Sequence, residues 1–160
     1  MRLALYQPDI PQNTGTLLRL AACLGVAVDV IGPTGFDMTD RALKRAGLDY
    51  LDAADITRHV SWSAFDDARR AAGHRLVLLS SRGVESYLDA VYTRTDILLL
   101  GRESAGVPDA VRGVADTVVR IPIRAPLRSL NVAVAGAMVL GEAMRQTGLM
   151  QMIAQEPSVG

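Results

Sequence analysis

A single cysteine, two histidines and 4% aromatic residues leave this 160-residue chain poor in the groups that staple or metallate small folds. Cys23 has no second cysteine to pair with, and with His59 and His74 it forms no set at zinc-ligand spacing. No metal is expected. Neither sign of charge is in excess: 17 Lys and Arg balance 17 Asp and Glu. That balance argues against a generic basic binder of nucleic acid, although it leaves room for a local basic patch. Long apolar runs are also missing. The longest, Leu130 to Leu140, is broken by Asn131 and stops at Gly141 and Glu142, short of the roughly 18 residues of a membrane span. The segment from Met1 to Gln12 meets Pro8 too early for the apolar core of a signal peptide. A cytoplasmic protein with no membrane association is expected.

What is present points to one ordinary core. A chain of this length buries roughly 70% of its unfolded surface, and 49% of its residues are hydrophobic. Residues 1–150 are read as a single domain and residues 151–160 as a tail. Short aliphatic runs alternate with helical patterns, the mark of an α/β domain with a mostly parallel sheet and helices on both faces. Strands are predicted at Arg2 to Tyr6, Val26 to Ile31, Arg75 to Ser80, Asp96 to Leu100 and Thr117 to Ile121, with a weaker one near Ile56. Asn13 or Thr14 is placed as the cap of a first helix ending at Gly25, and Thr39 as that of a second ending at Gly47. Ser61 or Ser63 opens a third, to about Ala72. A short helix follows Pro108, and Ser129 or Leu130 opens the last and longest, to about Gln146. Ala133, Ala135, Gly136, Ala137, Gly141 and Ala143 stud that helix, which suits close packing on the sheet or on a second subunit. Cys23 is placed in the core.

Ligands of such sheets bind at the carboxyl ends of the strands. Three turns there carry suitable groups. Pro11-Gln12-Asn13-Thr14-Gly15 is followed by Arg19; Asn13 serves as a ligand group or as a plain cap. Gly101-Arg102-Glu103-Ser104-Ala105-Gly106-Val107-Pro108 surrounds a carboxylate with glycines, as a ligand loop or a tight structural turn. It matches neither a Walker loop nor the dinucleotide fingerprint. Ile121-Pro122-Ile123-Arg124 leads to Leu127-Arg128-Ser129-Leu130-Asn131, with two polar groups at the mouth of an apolar helix. Three such turns favour one composite pocket. Arg41, Lys44 and Arg45 share one helix face, followed by Arg58-His59. That face suits a phosphate backbone, or is simply solvated.

Taken in this order, the three turns resemble the three motifs of the knotted α/β RNA methyltransferases, the SPOUT class, over nearly the whole chain. The stretch from Gly35-Phe36 to Asp40, then Leu43-Lys44-Arg45-Ala46-Gly47-Leu48-Asp49-Tyr50, is similar to the minimal single-domain branch. That branch methylates the 2′-hydroxyl of the wobble nucleotide, C34 or modified U34, in leucine tRNAs. Ala133 stands where the third motif often has Ser.

The resemblance implies a C-terminal deep trefoil knot and a homodimer with its active site between subunits. It implies S-adenosylmethionine as methyl donor, S-adenosylhomocysteine as product, and no metal. Donor contacts would come from Leu79 and the turn after it, and from Gly101, Glu103, Gly106, Ile121, Ser129, Leu130 and Asn131. The catalytic set would be Arg19, Asn13, Glu103, Ser129 and Asn131. RNA contacts would come from Arg19, Arg41, Lys44, Arg45, Arg58 and Arg124, reading the tRNA anticodon stem-loop. Another RNA substrate, or a catalytically silent RNA-binding dimer, is the alternative reading.

Overall fold

The computed structural model describes residues 1–38 and 54–155. Within them, β1 (Arg2–Tyr6), β2 (Ala27–Ile31), β3 (Ile56–His59), β4 (Arg75–Leu79), β5 (Glu85–Ser86), β6 (Asp96–Leu100) and β7 (Thr117–Arg120) form one sheet. Their order is β3-β2-β1-β6-β4-β7-β5, and every pairing is parallel. The helices are α1 (Pro11–Cys23), α2 (Trp62–Ala71), α3 (Asp109–Arg112), α4 (Val132–Thr147) and α5 (Leu149–Ala154). The expected α/β class with a parallel sheet holds.

Side chains along a strand alternate between faces, and here both faces are buried. Leu3, Leu5, Val28, Val30, Val77, Leu98 and Leu100 point to one side, where α1 and α4 cover them with Leu17, Leu18, Val139 and Leu140. Ala4, Tyr6, Ile31, Leu76, Leu78, Ile97 and Leu99 point to the other, under Phe65 of α2 and Val111 of α3. Two-sided burial is why the central strands read as unbroken aliphatic runs. Gly136 lets α4 settle on this core: a Cβ there would lie 2.9 Å from both Leu17 Cδ2 and Leu100 Cδ1.

Several local expectations are corrected. Neither Asn13 nor Thr14 caps α1. The helix starts at Pro11, with Ile10 in the cap position and no side-chain cap bond, because proline presets the first-turn φ and has no N–H to satisfy. Asn13 thereby lies inside the first turn with its side chain available to other loops. The cap of α4 is Asn131, not Ser129 or Leu130; its side chain accepts from the N–H groups of Ala133 and Val134. Cys23 is exposed rather than in the core, since the buried stripe of α1 runs through Thr14, Leu17, Leu18 and Ala21 and leaves position 23 off that face. Ser61 does cap α2, accepting from Ala64 N at 3.2 Å. The second helix expected from Thr39, with Arg41, Lys44 and Arg45, lies outside the described residues.

Register places the functional edge. Leu5 pairs with Leu100, Leu100 with Leu79 and Leu79 with Val119, so four strands end in one row. β1 sends the chain outward to β2 while β6 arrives on its other side. The loops after β1 and β6 therefore leave the sheet side by side at the reversal of strand order.

The Gly136 contact is a test of this packing. Gly136→Val should destabilise the protein by about 1–3 kcal/mol through overpacking, read as a lower urea midpoint with an unchanged m-value.

Candidate active site

Along that row of strand ends lies a cavity of about 470 Å³, within the range that holds a nucleoside-sized ligand. Leu79, Leu100, Val119 and Ile121 form its apolar floor, the backbone of Gly101 and Gly106 one wall, and Ser129, Leu130 and Asn131 the rim. All residues named for the donor side by the family resemblance line this one space: Leu79, Gly101, Glu103, Gly106, Ile121, Ser129, Leu130 and Asn131. Asn13 joins them.

The Gly101 to Gly106 wall is a closed loop whose ends exchange backbone hydrogen bonds, Arg102 N to Gly106 O at 3.0 Å and Gly106 N to Arg102 O at 2.7 Å. Gly106 has φ +69, a region that L side chains rarely adopt. At Gly101 a Cβ would lie 2.8 Å from the carbonyl carbon of Gly106. Both glycines are needed for the turn to close.

One polar relay ties the three turns together. Asn13 Nδ2 donates to Glu103 Oε1 at 3.3 Å, and Asn13 Oδ1 accepts from Asn131 Nδ2 at 2.8 Å. Asn131 Oδ1 in turn takes the first free N–H groups of α4, from Ala133 at 2.8 Å and Val134 at 3.3 Å. The relay thus ends on the positive pole of a 16-residue helix. Glu103 Oε2 accepts from Asp9 N at 3.0 Å. Burial, and then the adjoining Asp9 carboxyl, push the Glu103 pKa above the usual carboxylate range. Asp9 goes the other way, held low first by its hydrogen bond with Glu103 and then by Ser104.

Ser80 and Ser81 line the cavity directly after β4, in the turn after Leu79 to which the resemblance assigns donor contacts. Two further groups, Arg112 and Asp9, were missed from the sequence. Arg112 Nη1 donates to Ser80 Oγ at 3.1 Å and orients it. Asp9, three residues past β1, carried the same positional signal.

Of the RNA-side residues implied by the resemblance, the three that are described, Arg19, Arg58 and Arg124, do not line the cavity. Arg19 is exposed on α1 and does not line the cavity. It lies six positions beyond Asn13, about 9 Å along the helix axis. Arg58 is exposed on β3, the edge strand three places from β6, or about 14 Å across the sheet. Arg124 is exposed one residue beyond Ile123, which lines the cavity.

An open parallel sheet whose strand-end loops close on a nucleoside-sized cavity at its switch point defines an α/β ligand-binding domain with catalytic potential. More particularly, the chain belongs to the SpoU methylase family: the SpoU rRNA Methylase family matches residues 1–141. A tRNA (cytidine(34)-2'-O)-methyltransferase of Beijerinckia indica subsp. indica is 57% identical over 155 residues, covering 97% of each chain. The protein of that name from Escherichia coli (strain K12) is 37% identical over 150 residues, covering 92% of this chain and 94% of its own. Among solved structures, one described as giving structural insights into the 2-OH methylation of C/U34 on tRNA has a TM-score of 0.86. It is 43% identical and covers 91% of this chain and 94% of that one. The SpoU methyltransferase AviRb from Streptomyces viridochromogenes, in complex with the cofactor AdoMet, has a TM-score of 0.83 at 33% identity, covering 91% of this chain and 60% of that one.

Asn131 both caps α4 and holds Asn13, and two variants separate these functions. Asn131→Ala should cost about 0.5–2 kcal/mol of stability through the lost cap. Asn131→Asp, which keeps the cap acceptor and loses the donor to Asn13, should stay closer to the parent. Urea denaturation of the two proteins checks the difference.

Proposed function

We propose that the protein transfers a methyl group from S-adenosylmethionine to the ribose 2′-hydroxyl of the wobble nucleotide, C34 or modified U34, of leucine tRNAs. The observation that carries this reading is the relay from Glu103 through Asn13 to Asn131. It closes three strand-end loops on one cavity, in a chain matched nearly end to end by C34 2'-O-methyltransferases.

The residues present fit such a donor. The cavity offers apolar walls for an adenosine, and the Gly101 and Gly106 backbone, free of side chains, lies against it with main-chain donors and acceptors suited to a base edge. Ser129, Asn131 and Glu103 add polar side chains at the rim. S-adenosylmethionine supplies an activated methyl group on a sulfonium, so the protein's own contribution is mainly positioning. Leu79, Gly101, Gly106, Ile121 and Leu130 hold the donor, while Asn13 and Glu103 keep the loops in register around it. No metal takes part in this reading.

Arg19 serves the acceptor. A guanidinium is a poor base, so its role is to orient a phosphate and to stabilise charge developing on the 2′-oxygen. Its distance from its own subunit's cavity supports action on a partner's. The outward face of α4 supports a homodimer: Val134 and Met138 are exposed there beside the small residues Ala137 and Gly141. Thr16, Arg19 and Cys23 occupy the exposed side of α1, whose buried side packs on α4. A symmetric pair formed on these faces would bring each Arg19 toward the other cavity.

The reading includes a trefoil knot. In its support, the segment between β4 and β6 bonds to β7 through Ser80 N to Val119 O and Tyr87 N to Arg120 O, both 2.9 Å. It also bonds to α4 through Gln146 Nε2 to Ala90 O at 3.0 Å. The chain from Ile121 to Asn131 must pass from β7 to α4 alongside that segment. RNA contacts are assigned to Arg41, Lys44, Arg45, Arg58 and Arg124, with the dimer itself reading the anticodon stem-loop, where bases are open to edge contacts. No helix among the described residues is long and apolar enough to cross a membrane, in keeping with work in the cytoplasm.

The direct test incubates the protein with S-adenosylmethionine bearing a deuterated methyl group and total tRNA from a strain lacking the enzyme, followed by nucleoside and fragment mass spectrometry. Label is expected in 2′-O-methylated wobble nucleosides of leucine tRNA fragments. Label elsewhere in tRNA or in rRNA would move the substrate; no label from folded dimer would favour a silent binding module. Arg19→Ala should lower transfer by about 10²–10³-fold while leaving S-adenosylhomocysteine binding within twofold, as judged by calorimetry.

A further inference from the structure

Asp9 does not line the cavity, yet it is bonded to the loop that does. Its main-chain N–H donates to Glu103 Oε2 at 3.0 Å. Its Oδ2 accepts a short hydrogen bond from Ser104 Oγ and lies 3.8 Å from Arg102 Nε. Its Oδ1 is buried and has no hydrogen-bond donor among the described residues. The turn at Gly35 closes over the same side chain: a Cβ on Gly35 would lie 2.8 Å from Asp9 Cβ. A buried carboxylate oxygen without a donor is costly, and a protonated neighbouring carboxyl would satisfy it.

The groups around the pair narrow the choice. Arg102 Nε also donates to Gln7 O at 3.2 Å. Ser104 serves Oδ2, and Asn13 gives its amide hydrogen to Glu103 Oε1. Among the described residues, Glu103, whose Oε2 lies 3.0 Å from Asp9 N, is the remaining side chain bonded to Asp9 that can hold a proton. We propose that Asp9 is a positioning residue that shares one proton with Glu103. This acid–carboxylate latch holds the loop after β1 to the loop after β6, and with it the relay that shapes the donor cavity. The proposal rests on the donor-site reading above.

The titration directions agree with the geometry. Burial and the Asp9 carboxyl raise Glu103, and the bond with Glu103 lowers Asp9. A group with a raised folded-state pKa gives stability that is complete below its unfolded value and is lost as pH rises through the folded value. Glu103 therefore sets the alkaline limit of the latch. Asp9, lowered, sets the acid limit, where its share is lost as pH falls through its folded value. When Glu103 loses its proton two carboxylates face each other, the loops separate, and the donor wall loosens. Arg102, at 3.8 Å, offsets part of that repulsion.

The experiment combines two readouts on the full chain. Carboxyl-labelled glutamate gives a ¹³C NMR titration in which the Glu103 carbon, assigned by its absence in Glu103→Gln, should titrate above the other glutamates. Calorimetry with S-adenosylhomocysteine over the same pH range should show affinity falling by up to about tenfold per pH unit above the Glu103 midpoint. That probe lacks the sulfonium charge, which would otherwise respond to a new carboxylate. In Asp9→Asn the amide donates to an ionised Glu103, so the Glu103 carbon should return toward its ordinary midpoint and the extra pH dependence should vanish. A Glu103 carbon titrating with the other glutamates in the parent protein would overturn the proposal, whether or not Asp9→Asn folds. An unchanged pH slope in folded Asp9→Asn would overturn it as well. Absence of S-adenosylhomocysteine binding by folded parent protein at every pH would instead contradict the donor-site reading, leaving the NMR titration to decide the latch.

Discussion

The hydrogen bond between Asn13 and Asn131 is the constraint on which the site depends. It joins residues 118 positions apart in the chain and fixes the sense of both amides. Asn131 must turn its oxygen to the N-terminal N–H groups of α4, which leaves its amide hydrogens for Asn13. Asn13 must then turn its oxygen to Asn131 and its own amide hydrogens to Glu103. Reversing Asn13 would set like atoms face to face at two contacts, and reversing Asn131 at three. The result is a directional chain from a half-buried carboxyl to a helix pole, with the three motif loops as its links.

The rest of the molecule brings those links within reach. Parallel register ends β1, β6, β4 and β7 in one row, so the loops that follow emerge together. Proline at the first position of α1 starts the helix early enough for Asn13 to be in its first turn and to face the cavity rather than cap the helix. Gly106 and Gly101 shape the second loop so that main chain, not side chain, forms the wall. Gly136 seats α4 on Leu17 and Leu100, which places Asn131 at the rim. Catalysis by a fold of this kind follows from holding a preactivated donor and an acceptor in line. Rigidity of the loops matters more than any strongly basic group.

Much of this is legible in the residues. Aliphatic runs at Leu3 to Tyr6, Leu76 to Leu79 and Ile97 to Leu100 mark strands buried on both faces, and the turns after them supply about half of the cavity-lining groups, most of the rest coming from Val119 and the segment between Ile121 and Ala135. β5 is different: Glu85–Ser86 is two residues long and carries no periodic signal. The capping errors at Asn13 and Ser129 have a common cause. Several capping residues stand in a row at each helix start, and the choice among them is made by Pro11 in one case and by the contact of Asn131 with Asn13 in the other. Cys23 could have been placed correctly from helix phase, because Thr14, Leu17, Leu18 and Ala21 already define the buried stripe. The role of Asp9 was beyond the sequence, since nothing local reveals that one of its oxygens is enclosed beside Glu103. The role of Arg19 was assigned by resemblance, and the residue lies on the exposed side of α1 outside the lining of its own chain's cavity.

In the proposed function, each site combines the donor cavity of one subunit with Arg19 of the other. Two chains bearing different tags, one Arg19→Ala and one Ala135→Phe, which fills the cavity lined by Ala135, can be co-expressed and the doubly tagged heterodimer isolated. Each homodimer is expected to be inactive. The heterodimer should methylate tRNA, because it retains one site with an open cavity and an opposing Arg19. A folded heterodimer as inactive as its parents would contradict action across the interface and place Arg19 and the cavity in the same subunit's chemistry.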